Sequence, residues 1–172
     1  DPNRLPHRAL LPAGFHDVLP PEAAREAEVV EALMSGLAAN DYQRVKPPLV
    51  EFEETLLAGV GKGMAPRSFR LMDPVSQRML AVRPDMTPQV ARIATHRLGT
   101  APRPLRLSYA GQVLAVTGSQ LRPERQFAQV GAELIGTSEA SADAELLGLA
   151  VELLQSVGAS GLTLDLNQPT LV

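Results

Sequence analysis

From Arg125 onward the chain alternates in a way that gives one strand two jobs. Arg125, Phe127, Gln129, Gly131 and Glu133 occupy every second position, and Gln126, Ala128, Val130, Ala132 and Leu134 fill the places between. Successive strand residues point to opposite faces, so one face packs on a core while the other presents an arginine, an amide and a carboxylate. Gly131, between the amide and the acid, leaves room for something to lie against the backbone. A half-exposed antiparallel strand with solvated polar residues would show the same pattern.

The rest of the chain supplies partners for such a strand. Residues 1–20 are proline-rich and read as a mostly irregular arm, with Gly14 at a turn and Pro20-Pro21 ahead of a helix. Over Glu22–Asn40 the apolar residues Ala27, Val30, Leu33, Met34, Leu37 and Ala38 recur at helical spacing. Tyr42–Lys46 predicts a short strand running into Pro47-Pro48, which a central ladder would not tolerate. Glu51–Leu57 predicts a short helix, and GVGKGMAP a flexible loop, since the spacing of a phosphate-binding loop is absent. Phe69–Asp73 and Arg78–Arg83 predict a hairpin turning at residues 74–77. Thr87-Pro88 opens a helix with a hydroxyl cap and a first-turn proline, its stripe being Val90, Ile93, Ala94 and Leu98. Leu105–Val116 predicts a long strand. Ser138 or Ser141 caps a helix that Gly158 closes, and Leu162, Leu164 and Leu166 alternate with Thr163, Asp165 and Asn167 as a last strand.

These elements make an α+β chain, an antiparallel sheet flanked by helices. The simplest assembly places all three amphipathic helices on the apolar face and leaves the polar face as a concave floor. Gln129 and Glu133 on that floor, with Asp85 at the mouth of a neighbouring strand, suit a small cationic or amine-bearing ligand.

Composition excludes several classes. Net charge is −3 and aromatics are 3%, so neither the basic footprint nor the stacking platform of a nucleic-acid binder is present. Without cysteine there is no disulfide, thiolate catalysis or cysteine-held metal. His7, His16 and His96 lack metal-ligand spacing, and no run reaches membrane-spanning length. A cytoplasmic protein without metal or membrane is the expectation.

Three stretches carry a resemblance. The helix into YQRVKPPLVEF resembles the first motif of class II aminoacyl-tRNA synthetases, which builds a homodimer interface around a proline. LSYAGQVL with RPERQFAQVGAELIG resembles the second motif, and RPDMT the histidine-contacting loop of histidyl-tRNA synthetases. The variants RPDMTPQVARIA, YAGQVL and QLRPERQFAQVGAELIG are more similar to the regulatory subunits of ATP phosphoribosyltransferase, paralogues of those synthetases. The resemblance implies a class II synthetase-like domain over 21–172, incomplete at its C-terminal end, and a dimer interface at Pro47 and Pro48. It implies histidine binding by Asp85, Thr87, Gln129 and Glu133, with Arg125 as a further pocket residue. The second-motif arginine that handles ATP phosphate falls on Ala115, and a methyl group stabilises no developing charge.

Each of these residues also has a plainer reading. Thr87 serves as a helix cap, Asp85 satisfies backbone amides, and Arg125 pairs with Glu133 or Asp165. Only for Gln129 and Glu133 do alternation and resemblance agree independently. The implied function is a non-catalytic subunit serving the first step of histidine biosynthesis and its feedback control. It would take histidine as effector, no cofactor, and the catalytic phosphoribosyltransferase subunit as partner in a hetero-oligomer. A fragment of a histidyl-type synthetase, or a dimerising scaffold with a relic pocket, remain as alternatives.

Overall fold

The computed structural model describes residues 11–120 and 123–166, with side chains throughout except at 59–62. Residues 11–20 form no helix or strand, as expected of the arm. Helix α1 (Glu22–Ala39) follows the predicted stripe and buries Met34 and Leu37. Asn40 ends it by donating its side-chain amide to the Gly36 carbonyl at 2.9 Å, and Asp41 turns the chain at φ 65°. A two-residue strand β1 (Gln43–Arg44) follows.

Strand β2 (Val50–Phe52) and a single-turn helix α2 (Glu53–Leu56) replace the longer helix expected from Glu51. The β-branched and aromatic residues Val50 and Phe52 find a partner across the hairpin, so helix begins only at Glu53. The glycine-rich stretch winds into 3-10 turns over Gly59–Arg67. Strands β3 (Arg70–Met72) and β4 (Met79–Val82) make the predicted hairpin. Asp73 organises its turn by accepting the amides of Val75 and Ser76, at 3.1 and 3.2 Å, and the Ser76 hydroxyl at 2.6 Å.

Helix α3 (Thr87–Arg92) continues into a π turn over Ile93–Arg97. Strands β5 (Leu105–Leu114) and β6 (Gln126–Ile135) then pair antiparallel along their whole length, from Leu105 opposite Ile135 to Leu114 opposite Gln126. Helix α4 (Ala140–Ser156) starts without the predicted serine cap, because Glu139 holds the cap position, its amide donating to the Thr137 hydroxyl at 3.2 Å. Gly158 closes it at φ 94°. The strand expected over 162–167 is not formed in 162–166, and residue 167 lies outside the described residues. Alternation writes the pattern of a strand, but a strand exists only through a neighbour's hydrogen bonds, and this segment has no ladder partner among the described residues.

Among the described residues two three-stranded sheets result, ordered β1-β5-β6 and β2-β4-β3, with β1 parallel to β5. They are joined where the Leu114 amide donates to the Arg83 carbonyl at 3.0 Å. The helices do not all lie on one face of the larger sheet, contrary to expectation. Met34 and Leu37 of α1 and Leu149 of α4 pack with Ala110, Val130 and Ala132 on the apolar face. On the opposite face, Met86, Val90 and Ala94 pack with Leu107, Tyr109 and Val113. The partner strand decides this: its odd positions are apolar where those of β6 are polar, so the second face also requires cover.

Both faces therefore contribute to stability. Leu37→Ala and Met86→Ala are each expected to cost about 2–5 kcal/mol in urea unfolding. A loss below about 1 kcal/mol at Met86 would mean that the α3 face is not a packed core.

Candidate functional site

The loop leaving β4 brings Asp85 over the polar side of β6. Gln129 donates its side-chain amide to Asp85 Oδ1 at 2.9 Å and accepts the Met86 amide on its Oε1 at 2.9 Å. Asp85 Oδ1 also accepts the Thr87 amide at 3.0 Å. The start of α3 is thus satisfied by the Asp85 carboxylate and not by the Thr87 hydroxyl, so the predicted hydroxyl cap is corrected. That hydroxyl lies 3.0 Å from the Tyr109 hydroxyl, which donates to Glu133 Oε1 at 3.1 Å. Tyr109 has one proton, committed to the carboxylate, and the Thr87 hydroxyl is within reach of both of them.

All four residues assigned from the resemblance, Asp85, Thr87, Gln129 and Glu133, are brought together. Tyr109 was missed, and it connects them. It sits directly opposite Gly131 in the ladder, and a Cβ on Gly131 would collide with the Tyr109 ring. The room left by the glycine is taken by this ring, not by a ligand lying against the backbone. The motifs already held the signal: with Arg125 placed opposite Ala115, the same register sets Tyr109 opposite Gly131.

Electrostatically the site is acidic and partly dry. Burial raises the Glu133 carboxyl above its ordinary 4.5, the Tyr109 and Thr87 hydroxyls pull it back, and the Asp85 charge pushes it further up. Burial first, then the Glu133 and Asp85 charges, drive the Tyr109 phenol up to about 12, against the Thr87 hydrogen bond. Neither carboxylate belongs to an ion pair among the described residues. Two acids and an amide held this way accept a cationic donor.

The remaining assigned residues have other contacts. Arg125 donates to the carbonyls of Ala13 at 3.1 Å and Ala115 at 3.3 Å, and its guanidinium lies over Phe15 and Phe69. It fastens the arm and is not paired with Glu133 or Asp165. Ala115 is buried and borders a cavity of about 540 Å³ whose other walls include Arg67, Ser119, Glu124 and Phe127. Pro47 is buried within the chain while Pro48 and Leu49 are exposed, so of the two prolines only Pro48 offers surface.

A second polar cluster was not foreseen. Arg83, 6% exposed, donates to the carbonyls of Gln112 and Pro47, both at 2.9 Å, and of Pro48 at 3.3 Å. Gln89 donates to Pro48 O at 2.8 Å and to Glu51 at 3.0 Å, and Arg92 pairs with Glu51. Burial lowers the Arg83 pKa, opposed by the Glu51 charge. A sequence signal existed in Gln89, a polar residue beside Val90 on a helix otherwise read by its apolar stripe.

The histidyl-tRNA synthetase family profile matches residues 14–172, nearly the whole chain. The chain belongs to the histidyl-tRNA synthetase family. Within that family it is 62% identical over 166 residues to an ATP phosphoribosyltransferase regulatory subunit of Paramagnetospirillum magneticum, covering 96% of this chain and 44% of that protein. A solved ATP phosphoribosyltransferase regulatory subunit/histidyl-tRNA synthetase of Bacillus halodurans superposes with TM-score 0.79 at 30% identity, over 92% of this chain and 40% of the other. Apo histidyl-tRNA synthetase of S. aureus gives TM-score 0.71 at 26% identity, over 88% of this chain and 35% of the other. The fold is the α+β class II synthetase type, and the chain spans less than half the length of these proteins.

The raised Glu133 carboxyl sets a stability test. A carboxyl raised on folding destabilises the folded state above its folded pKa, and the penalty vanishes below the ordinary 4.5. Glu133→Gln is therefore expected to raise the melting temperature at pH 7 and to lose that advantage as the pH falls toward 4. Equal effects at both pH values in thermal melts would contradict the burial cause.

Proposed function

We propose that this chain is the synthetase-like part of a non-catalytic regulatory subunit of ATP phosphoribosyltransferase. It senses histidine for feedback control of histidine biosynthesis and docks on the catalytic subunit. The convergence of Asp85, Gln129, Thr87, Tyr109 and Glu133, with neither carboxylate in an ion pair among the described residues, is the observation that carries this reading. Histidine offers an ammonium and an imidazole. The two carboxylates take its positive charge, and Gln129, held between Asp85 and the Met86 amide, fixes orientation. The subunit acts without a cofactor of its own, as a cytoplasmic homodimer through the Pro48 region. The 62% identity to a protein bearing the regulatory-subunit name supports the partner.

Regulation follows from differential affinity. Histidine shifts the complex toward whichever state holds it more tightly, and the same coupling makes catalytic-subunit binding alter histidine affinity. The methyl group at Ala115, where the second motif of the synthetases has its arginine, supports the absence of adenylation. One observation favours a synthetase fragment as the second reading: Arg67 brings a guanidinium to the cavity that Ala115 borders. Histidine-dependent exchange of pyrophosphate into ATP by the full-length protein would establish that reading instead.

The test mixes full-length subunit with catalytic subunit and measures phosphoribosyl transfer with and without histidine. Activity is expected to depend on the added subunit, and Glu133→Ala to raise the inhibiting histidine concentration at least about tenfold, the worth of one charge-assisted hydrogen bond. Activity indifferent to the subunit, or inhibition untouched by Glu133→Ala, overturns the proposal.

A further inference from the structure

Arg83 is held by its backbone and by its side chain. Its N–H donates to the Leu49 carbonyl at 3.1 Å, and its carbonyl accepts the Leu114 amide at 3.0 Å. Its guanidinium reaches the carbonyls of Gln112, Pro47 and Pro48 and stands 3.5 Å from Gln89 Oε1. The residue is almost wholly buried, and among the described residues no carboxylate forms an ion pair with it. A cation taken out of water and given only neutral acceptors costs more than an apolar side chain packed between the same two sheets. What the apolar side chain lacks is the means to hold particular carbonyls in fixed places.

The path from there to the candidate site is short and stiff. Pro84 follows, buried, with its ring fixing φ, and Asp85 is next. Proline also restricts the residue before it, so Arg83 has few conformations of its own. The place of the Asp85 carboxylate is therefore set largely by where Arg83 is pinned. The other support of that carboxylate is Gln129, and the same guanidinium lies beside it. Gly111 is directly opposite Gln129 in the ladder, and a Cβ there would stand 2.5 Å from Arg83 Nη2. The loop that carries the acid and the strand position that carries its amide partner are both located against one side chain.

We infer that Arg83 is a positioning residue for the candidate site: it fixes Asp85 against Gln129, so that a cationic ligand meets an acid already in place. It acts through Asp85 and not by contact with the ligand. An acid free to wander would have to be ordered on binding, and that ordering weakens affinity. The consequence for affinity rests on the histidine reading above; the positioning does not.

Two amides report the positioning in the empty protein. Met86 donates its N–H to Gln129 and Thr87 its N–H to Asp85, so both exchange slowly with solvent only while that junction is closed. In the full-length protein, Arg83→Met keeps most of the side chain's bulk and removes its donors. Deuterium uptake over residues 85–87 is expected to quicken at least about tenfold, while α1, on the opposite face of the sheet, keeps its rate. Uptake unchanged over 85–87, or quickened equally in α1, overturns the inference. Histidine titrated into the same variant by calorimetry, well below its melting temperature, is expected to bind about tenfold more weakly. Unchanged affinity would remove Arg83 from any bearing on the ligand. Leu37→Ala, which weakens the core on the other face, is expected to leave histidine affinity as it was, and equal losses in the two variants would assign the effect to overall stability and overturn the inference as well. Should Arg83→Met not fold, Arg83→Lys, which keeps the charge, is read in its place. If the wild-type protein gives no heat with histidine, the functional reading fails while the deuterium uptake still decides whether Arg83 places Asp85.

Discussion

Everything in the candidate site depends on the register of one strand pair. The ten-residue ladder of β5 and β6 sets Tyr109 against Gly131 and Gly111 against Gln129. A slip of one residue would turn Gln129 and Glu133 onto the side of α1 and α4, among Met34, Leu37 and Leu149. Burying an unpaired carboxylate there would be prohibitive, so the hydrophobic pattern and the polar site enforce the same register. The tyrosine ring over the glycine strengthens it, because a Cβ at position 131 would collide with that ring.

The polar residues of β6 are not on an open floor. They share their face with Leu107, Val113 and the α3 residues Met86, Val90 and Ala94, and are half-buried. This raises the Glu133 carboxyl and makes the site costly to hold empty. A cationic ligand would relieve that cost. The stability of the empty protein and its affinity for such a ligand are therefore opposed at one residue.

Much of this was legible in the sequence because it was written in periods. The alternation over 125–134 located both faces of β6, and the helical stripes located α1, α3 and α4. What failed was whatever depends on partners far along the chain. Thr87 looked like a cap because hydroxyls before prolines usually are, but Tyr109 claims its hydroxyl from 22 residues away. Arg125 looked like a pocket residue because it shares the parity of Gln129, yet Phe15, Phe69 and the Ala13 carbonyl occupy its guanidinium. Val50–Phe52 chose strand over helix because β4 was available to pair with it. Periodicity reports what a residue faces, not what reaches it from elsewhere.

Arg83 illustrates how far one such long-range contact extends. A single planar guanidinium spans the carbonyl of Gln112 in one sheet and those of Pro47 and Pro48 in the turn that leads to the other. Lysine carries the same charge but concentrates its donors at one point, and could not bridge acceptors set that far apart. Position 83 is thus constrained by the shape of its donor array more than by its sign. The residue acts as a rivet between two sheets, two places in sequence from the acid that opens the candidate site.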